Sequence, residues 1–286
     1  MMIALEILII LIFVPLAGGL LSGLDRKITA RMQRRKGPPL LQPFYDVHKL
    51  LQKQSTTVNT VTRFYITLSL GFMVFTTVLL FTGHDILLTV FAFTLTTVFF
   101  IIAGYSSDSP YSLVGTEREL LQVMAYEPMV LITIFGFYKV THTFEVSQFL
   151  TLDKPIILKL PLIFIGLLYA LTFKLRKSPF DLSTSHHGHQ ELVKGITTEL
   201  TGICMAMVEI THWLETMFAL ALVYMFFVCK NPYSHLVALT ACAAVFFFEI
   251  FIDNTFARFK WQLALKTSWL ITAVTGIINL LLLTFF

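Results

Sequence analysis

Residues 86–104 read Ile-Leu-Leu-Thr-Val-Phe-Ala-Phe-Thr-Leu-Thr-Thr-Val-Phe-Phe-Ile-Ile-Ala-Gly, and no side chain in the run is ionisable. As a helix rising about 1.5 Å per residue, such a run reaches across the ~30 Å hydrocarbon core of a bilayer. A helix also satisfies its own backbone hydrogen bonds, which lipid cannot do for it. Working outward, seven further runs are long and predominantly apolar: Ile3–Leu21, Phe64–Phe81, Leu121–Thr141, Ile156–Phe173, Ile203–Cys229, His235–Ile252 and Thr267–Phe286. The spacing predicts an all-α integral membrane protein of about eight transmembrane helices, with residues 1–286 forming a single polytopic membrane domain. Pro161 is expected to kink the fifth helix near its start.

Composition agrees. Of 286 residues, 56% are hydrophobic and 13% charged, against roughly 25% charged in a soluble domain. Lipid is therefore the solvent for many of these side chains. The three cysteines, Cys204, Cys229 and Cys242, lie inside apolar runs. They form no Cys-x-x-Cys pair, so the chain has no ligand set for an iron–sulfur cluster. No internal repeat is visible, which disfavours a transporter built from inverted halves. No nucleic-acid partner is expected.

Charge sets the orientation. The connections after the first, third, fifth and seventh helices carry 17 of the 21 Lys and Arg residues. Positive loops stay inside, which predicts cytoplasmic connections at about 22–63 and 174–200 and both termini outside. The first of these contains Leu40, Phe44, Val47 and Leu51 at helical spacing. That stretch, Leu40–Gln52, is predicted to be an amphipathic helix lying on the interface or on a partner.

Ionisable side chains at membrane depth cost about 2.5–3.5 kcal/mol on the insertion scale and invite a functional reading. Glu127 precedes Pro128, whose missing N–H frees a carbonyl and favours a polar pocket around Glu127. In the sixth helix Glu209, His212 and Glu215 follow one another at three-residue spacing, placing a carboxylate on each side of the imidazole; Glu199 is assigned to the same helix. Glu249 and Asp253, four apart in the seventh helix, fit helix–helix hydrogen bonding or snorkelling equally well. His186, His187 and His189, with Glu191, are too nearly contiguous for a standard zinc or nickel pattern. They are read as a proton-exchanging or partner-facing loop, and no metal site is expected. His84–Asp85, Lys154 and Lys230 are read as solvated outer-loop charges.

Several segments then resemble one family. Arg34-Arg35-Lys36-Gly37-Pro38, Leu41-Gln42-Pro43 and Asp46-Val47-His48-Lys49 form one signature. Ala103-Gly104-Tyr105, Ser109-Pro110-Tyr111, Gly115, Arg118 and Tyr126-Glu127 form a second. Ser178-Pro179-Phe180-Asp181-Leu182, Gln190-Glu191-Leu192-Val193-Lys194-Gly195 and Thr198-Glu199-Leu200-Thr201-Gly202 form a third. Together they resemble the quinone-site membrane subunit of respiratory complex I and the matching subunit of membrane-bound nickel–iron hydrogenases. Gly37-Pro38-Pro39-Leu40-Leu41-Gln42 and Glu127-Pro128-Met129 resemble the hydrogenase side more than the quinone side, and the His-His-Gly-His-Gln-Glu stretch resembles the ferredoxin-dependent energy-converting group, including its carbon-monoxide-linked branch.

The resemblance implies a subunit in the plasma membrane of a bacterium or archaeon. It would anchor a soluble redox module and couple hydrogen evolution to proton or sodium translocation. Its partners would be hydrogenase large and small subunits, a ferredoxin-like iron–sulfur subunit and an antiporter-like membrane subunit. The nickel–iron centre and the iron–sulfur clusters would sit in those partners, with no cofactor and no catalytic residue in this chain. Asp46, Asp181, Glu191 and the loop histidines would form the entrance of an ion path. Glu127, Glu199, Glu209, His212 and Glu215 would line its interior, and Arg118 would tune them by its charge. Two departures matter: glutamates of the complex I pattern fall on Lys174 and His212. A quinone-reducing subunit of the NADH dehydrogenase type and a passive membrane anchor are the alternatives.

Overall fold

The computed structural model describes residues 2–54, 59–180, 183 and 194–285. Its helices are α1 (Met2–Met32), α2 (Gln42–Gln52), α3 (Thr60–Phe81), α4 (Ile86–Tyr105), α5 (Pro110–Thr141), α6 (Pro161–Lys174), α7 (Gly202–Phe227) and α8 (Ser234–Thr255). A ninth, α9 (Trp261–Phe285), contains a π-helical stretch at Thr272–Ile277. Among the described residues, α1, α3, α4, α5, α7, α8 and α9 are long and apolar enough to cross a membrane. The span predicted at Ile156–Phe173 is α6, which has 14 residues, about 21 Å of helix. The chain is an all-α, multi-span membrane protein.

Three boundaries differ from those read off hydropathy, each for a physical reason. Helix α1 runs on to Met32, well past Leu21, because nothing in Ser22–Met32 breaks a helix; only the apolar character ends at Asp25. It stops where Arg34 turns left-handed (φ 57°) and Arg35 N–H reaches back to the Ala30 carbonyl at 2.9 Å. Helix α5 begins at Pro110 rather than Leu121, so Arg118 is a helical residue and not part of a connection. Pro161 does not kink α6. It occupies the first turn, where its missing N–H costs nothing. The free amides that follow are capped by buried Asn279 of α9: its Oδ1 accepts from Leu162 N–H at 2.9 Å and Ile163 N–H at 3.3 Å.

The chain divides into two compact units: residues 1–78, 91–120 and 181–217, and residues 79–90, 121–180 and 218–286. In the first, α2 lies against α1 and α7. Glycines allow the approach: a Cβ on Gly18 would meet the Trp213 carbonyl at 2.6 Å, and one on Gly19 would meet the Phe44 ring. Phe44 in turn stacks edge-on against Trp213, centroids 5.2 Å apart. On another face of α7, Cys204 and Val208 join a core of Ile66, Phe100, Ala103, Ile196 and Leu200. Ser69 donates to the Thr96 carbonyl at 2.8 Å, tying α3 to α4.

The second unit is rich in buried rings. Phe137 packs edge-on against Phe149 and Phe226, and Phe173 stacks flat on Phe180 at 3.8 Å. Asp85, expected to be a solvated charge, caps α4 instead: its Oδ1 accepts from Leu87 N–H at 2.8 Å and Leu88 N–H at 3.1 Å.

Candidate functional site

The predicted ionisable residues that are described divide between the two units. Asp181, His186, His187, His189 and Glu191 lie outside the described residues.

In the first unit the amphipathic helix forms over Gln42–Gln52, as its spacing predicts. It buries Pro43 and Val47 and packs Val47 with Ala206 and Trp213 of α7. Its polar edge carries Asp46. Arg26 of α1 donates to Asp46 Oδ2 at 2.5 Å, and Gln42, one turn back in α2, donates to Oδ1 at 2.9 Å. Burial pushes the Asp46 carboxyl up, but the Arg26 and Gln42 hydrogen bonds and the Arg26 charge outweigh it and hold the group below the usual carboxylate range. The clamp fixes α2 across α1 through one anion with two directional donors.

Helix α7 carries Glu209, His212 and Glu215. A three-residue step turns about 60° short of a full circle and rises about 4.5 Å. The three groups therefore wind as a stripe around α7. Glu209 begins beside the face that holds α2, and Glu215 ends on the face of Cys204 and Val208. Glu215 is buried, and Glu209 and His212 are half-buried. The His212 ring meets Phe100 of α4 edge-on, centroids 6.3 Å apart. Glu199 does not belong to this helix. It sits exposed in the turn before Gly202, whose left-handed backbone (φ 55°) starts α7. A helix beginning at Gly202 cannot carry Glu199 inward. Arg118 is half-buried in α5, next to the buried Glu119.

In the second unit Glu127 is half-buried in α5. The one carbonyl that Pro128 leaves without a helical donor, that of Met124, is not turned to it. Trp269 Nε1–H of α9 takes the Met124 carbonyl at 3.2 Å, and the Ser268 hydroxyl takes that of Ala125 at 2.5 Å. The charge that faces Glu127 is Lys174. Lys174, the last residue of α6, is buried; its ammonium donates to the Tyr126 hydroxyl at 3.4 Å and lies 5.3 Å from the centre of that ring.

Sequence reasoning had counted Lys174, Arg176 and Lys177 as loop charges, whereas all three are buried. The only signal in the sequence was the displaced glutamate at Lys174. Gln122 donates to the Phe180 carbonyl and Phe259 N–H donates to that of Pro179 at 3.1 Å, so the Pro-Phe segment is held by α5 and by the connection before α9. Lys177 pairs with Asp253 at 3.5 Å. Among the described residues no group of three His, Cys, Asp or Glu is placed to hold a metal.

The architecture is that of a membrane subunit with charged groups built between its helices. Residues 5–284 match the NADH dehydrogenase family, and the chain belongs to it. The fold resembles a chain of the membrane-bound sulfane sulfur reductase, an archaeal respiratory membrane complex, with a TM-score of 0.84 at 26% identity, covering 98% of this chain and 100% of that one. NADH-ubiquinone oxidoreductase chain 1 of Aedes aegypti is 26% identical over 92% of this chain and 88% of its own length. Hydrogenase-4 component C of Escherichia coli (strain K12) is 25% identical over 93% and 90%. The chain is thus a member of the membrane-subunit family that complex I shares with hydrogenase-type complexes.

Proposed function

We propose that this chain is the membrane subunit of a ferredoxin-dependent, energy-converting nickel–iron hydrogenase, and that it couples hydrogen evolution to the export of protons or sodium ions. The observation that carries the reading is the stripe Glu209–His212–Glu215 in a helix otherwise apolar enough to span a membrane. A passive anchor gains nothing from three ionisable groups there, whereas an ion path needs groups that load and release at similar affinities. Similarity to Hydrogenase-4 component C supports the hydrogenase branch. So do Lys174 and His212, which stand where the quinone-type pattern has glutamates.

In this reading α2 and the Ser178–Gly195 connection face the cytoplasm and receive the soluble subunits. The chain lies in the plasma membrane of a bacterium or archaeon with both termini outside, a reading supported by the bias of Lys and Arg toward the odd-numbered connections. Nickel, iron and iron–sulfur centres belong to the hydrogenase large and small subunits and the ferredoxin-like subunit, and an antiporter-like subunit abuts in the membrane. Asp46 with Arg26 then stands at the docking edge, and Arg118, Glu127, Glu209, His212 and Glu215 serve the ion.

The test is to purify the complex through a tag on this chain, identify the subunits that accompany it and measure its metals. Nickel in the complex, and hydrogen evolved from reduced ferredoxin with ion uptake into inverted vesicles, are the expected results. A nickel-free complex that reduces quinone would replace this reading with the complex I type.

A further inference from the structure

Glu249 of α8 is fully buried, at 0% exposure. Among the described residues, neither of its carboxyl oxygens has a hydrogen-bond partner. An anion in that setting would lose its hydration and gain no donor, a cost of several kcal/mol. One helical turn on, Asp253 shares its face of α8. Asp253 is well supplied: Ser178 N–H donates to its Oδ1 at 2.8 Å, and the Lys177 ammonium lies 3.5 Å from its Oδ2. Its side chain is 31% exposed, whereas that of Lys177 is 11% exposed. Lys177 and Asp253 are also the charged groups whose fields reach Glu249. A partly exposed carboxylate, a nearly buried ammonium and a fully buried carboxyl thus lie together within the second unit.

We propose that Glu249 is a proton-binding site, held as the neutral acid at rest, and that Asp253 is its exchange group. Unloading transfers the proton from the Glu249 carboxyl to the Asp253 carboxylate and from there to water. Lys177 then shifts its ammonium from Asp253, now neutral, to the new Glu249 carboxylate, so net charge in the cluster falls by one only when the proton leaves. Loading is the reverse. The proposal does not rest on the α7 stripe and stands whether or not that stripe carries the coupled ion.

Infrared difference spectroscopy of the purified complex tests it. The native complex is expected to show a carboxylic-acid C=O band at neutral pH that shifts on transfer to D2O and is missing in Glu249→Gln. In Asp253→Asn, which leaves Glu249 in place, the band should remain while its D2O shift slows at least tenfold. Should Glu249→Gln fail to assemble, the Asp253→Asn exchange rate alone decides. An unchanged acid region in Glu249→Gln would show Glu249 to be ionised and overturn the proposal. Exchange at the native rate in Asp253→Asn would remove Asp253 from the route and overturn it equally.

Discussion

Trp269 donates its indole N–H at 3.2 Å to the carbonyl of Met124, the backbone acceptor that Pro128 leaves without a helical donor. Proline has no N–H to return to position i−4, and lipid offers none. Helix α9 therefore completes α5, and the Ser268 hydroxyl adds a bond to the Ala125 carbonyl one residue on. Trp269→Phe should destabilise the detergent-solubilised complex by about 0.6 kcal/mol, typical of a hydrogen bond between membrane helices. In a Pro128→Ala background, residue 128 again donates to Met124, and the same change should cost much less. Thermal unfolding of the four-member cycle measures this; strict additivity would mean the carbonyl is satisfied in another way.

Asp46 gives a pH dependence with a defined sign. Its carboxyl is held below its ordinary value by Arg26 and Gln42. A depressed folded-state value adds stability that is fully present above about pH 4, the unfolded value. That stability is lost as pH falls through the folded value. The side chains are 40% and 39% exposed, so solvent screens the pair and its share is under about 1 kcal/mol. Amide exchange in Gln42–Gln52 should accelerate in Asp46→Asn at pH 7, and the gap from the native chain should close in acid. An acceleration that persists unchanged below pH 4 would assign the effect to packing and not to the ion pair.

Two glycines make opposite predictions. A Cβ on Gly18 would meet Trp213 backbone and Cβ atoms at 2.6–2.9 Å, whereas one on Gly71 meets nothing within 4 Å. Gly18→Ala forces α1 away from α7 and should cost about 1–3 kcal/mol. Gly71→Ala, in the middle of α3, should be tolerated or slightly stabilising, since Ala is the better helix former. Melting temperatures that fall equally in both variants would show that α1 and α7 do not pack this closely.

Hydropathy revealed the spans because lipid demands uniform apolarity, and the period of Leu40–Gln52 revealed α2 because water lies on one side of it. Neither signal reports where a helix ends once it leaves the bilayer, which is why α1 and α5 outran their apolar cores. Charge counting treated Lys174, Arg176 and Lys177 as solvated because composition carries no information on burial. Only the fold brings Tyr126 beneath Lys174 and Asp253 beside Lys177. Glu199 was assigned to α7 for the converse reason: it lies just before the apolar run, but the left-handed Gly202 starts the helix after it. The α7 stripe was legible because three-residue spacing in a helix fixes neighbours without tertiary help.

That stripe carries the last prediction. Glu209→Gln and Glu215→Gln keep shape and hydrogen bonding while removing ionisation, and Glu127→Gln does the same beside Lys174. Each should lower ion uptake by inverted vesicles evolving hydrogen from reduced ferredoxin, by tenfold or more where the group lies directly on the path. Hydrogen evolution with an artificial donor in detergent should hold, because the proposed function places the chemistry in the soluble partners. His212→Leu should be worse than His212→Gln. The imidazole meets Phe100 edge-on, so leucine fills the same space, but only glutamine can still hold a hydrogen-bonded water between the flanking acids. Varying sodium and adding a protonophore identifies the coupled ion. Native uptake in all three glutamine variants would make these acids structural and return the chain to a passive anchor. Loss of donor-driven hydrogen evolution alongside uptake would instead show that α7 holds the redox module in place.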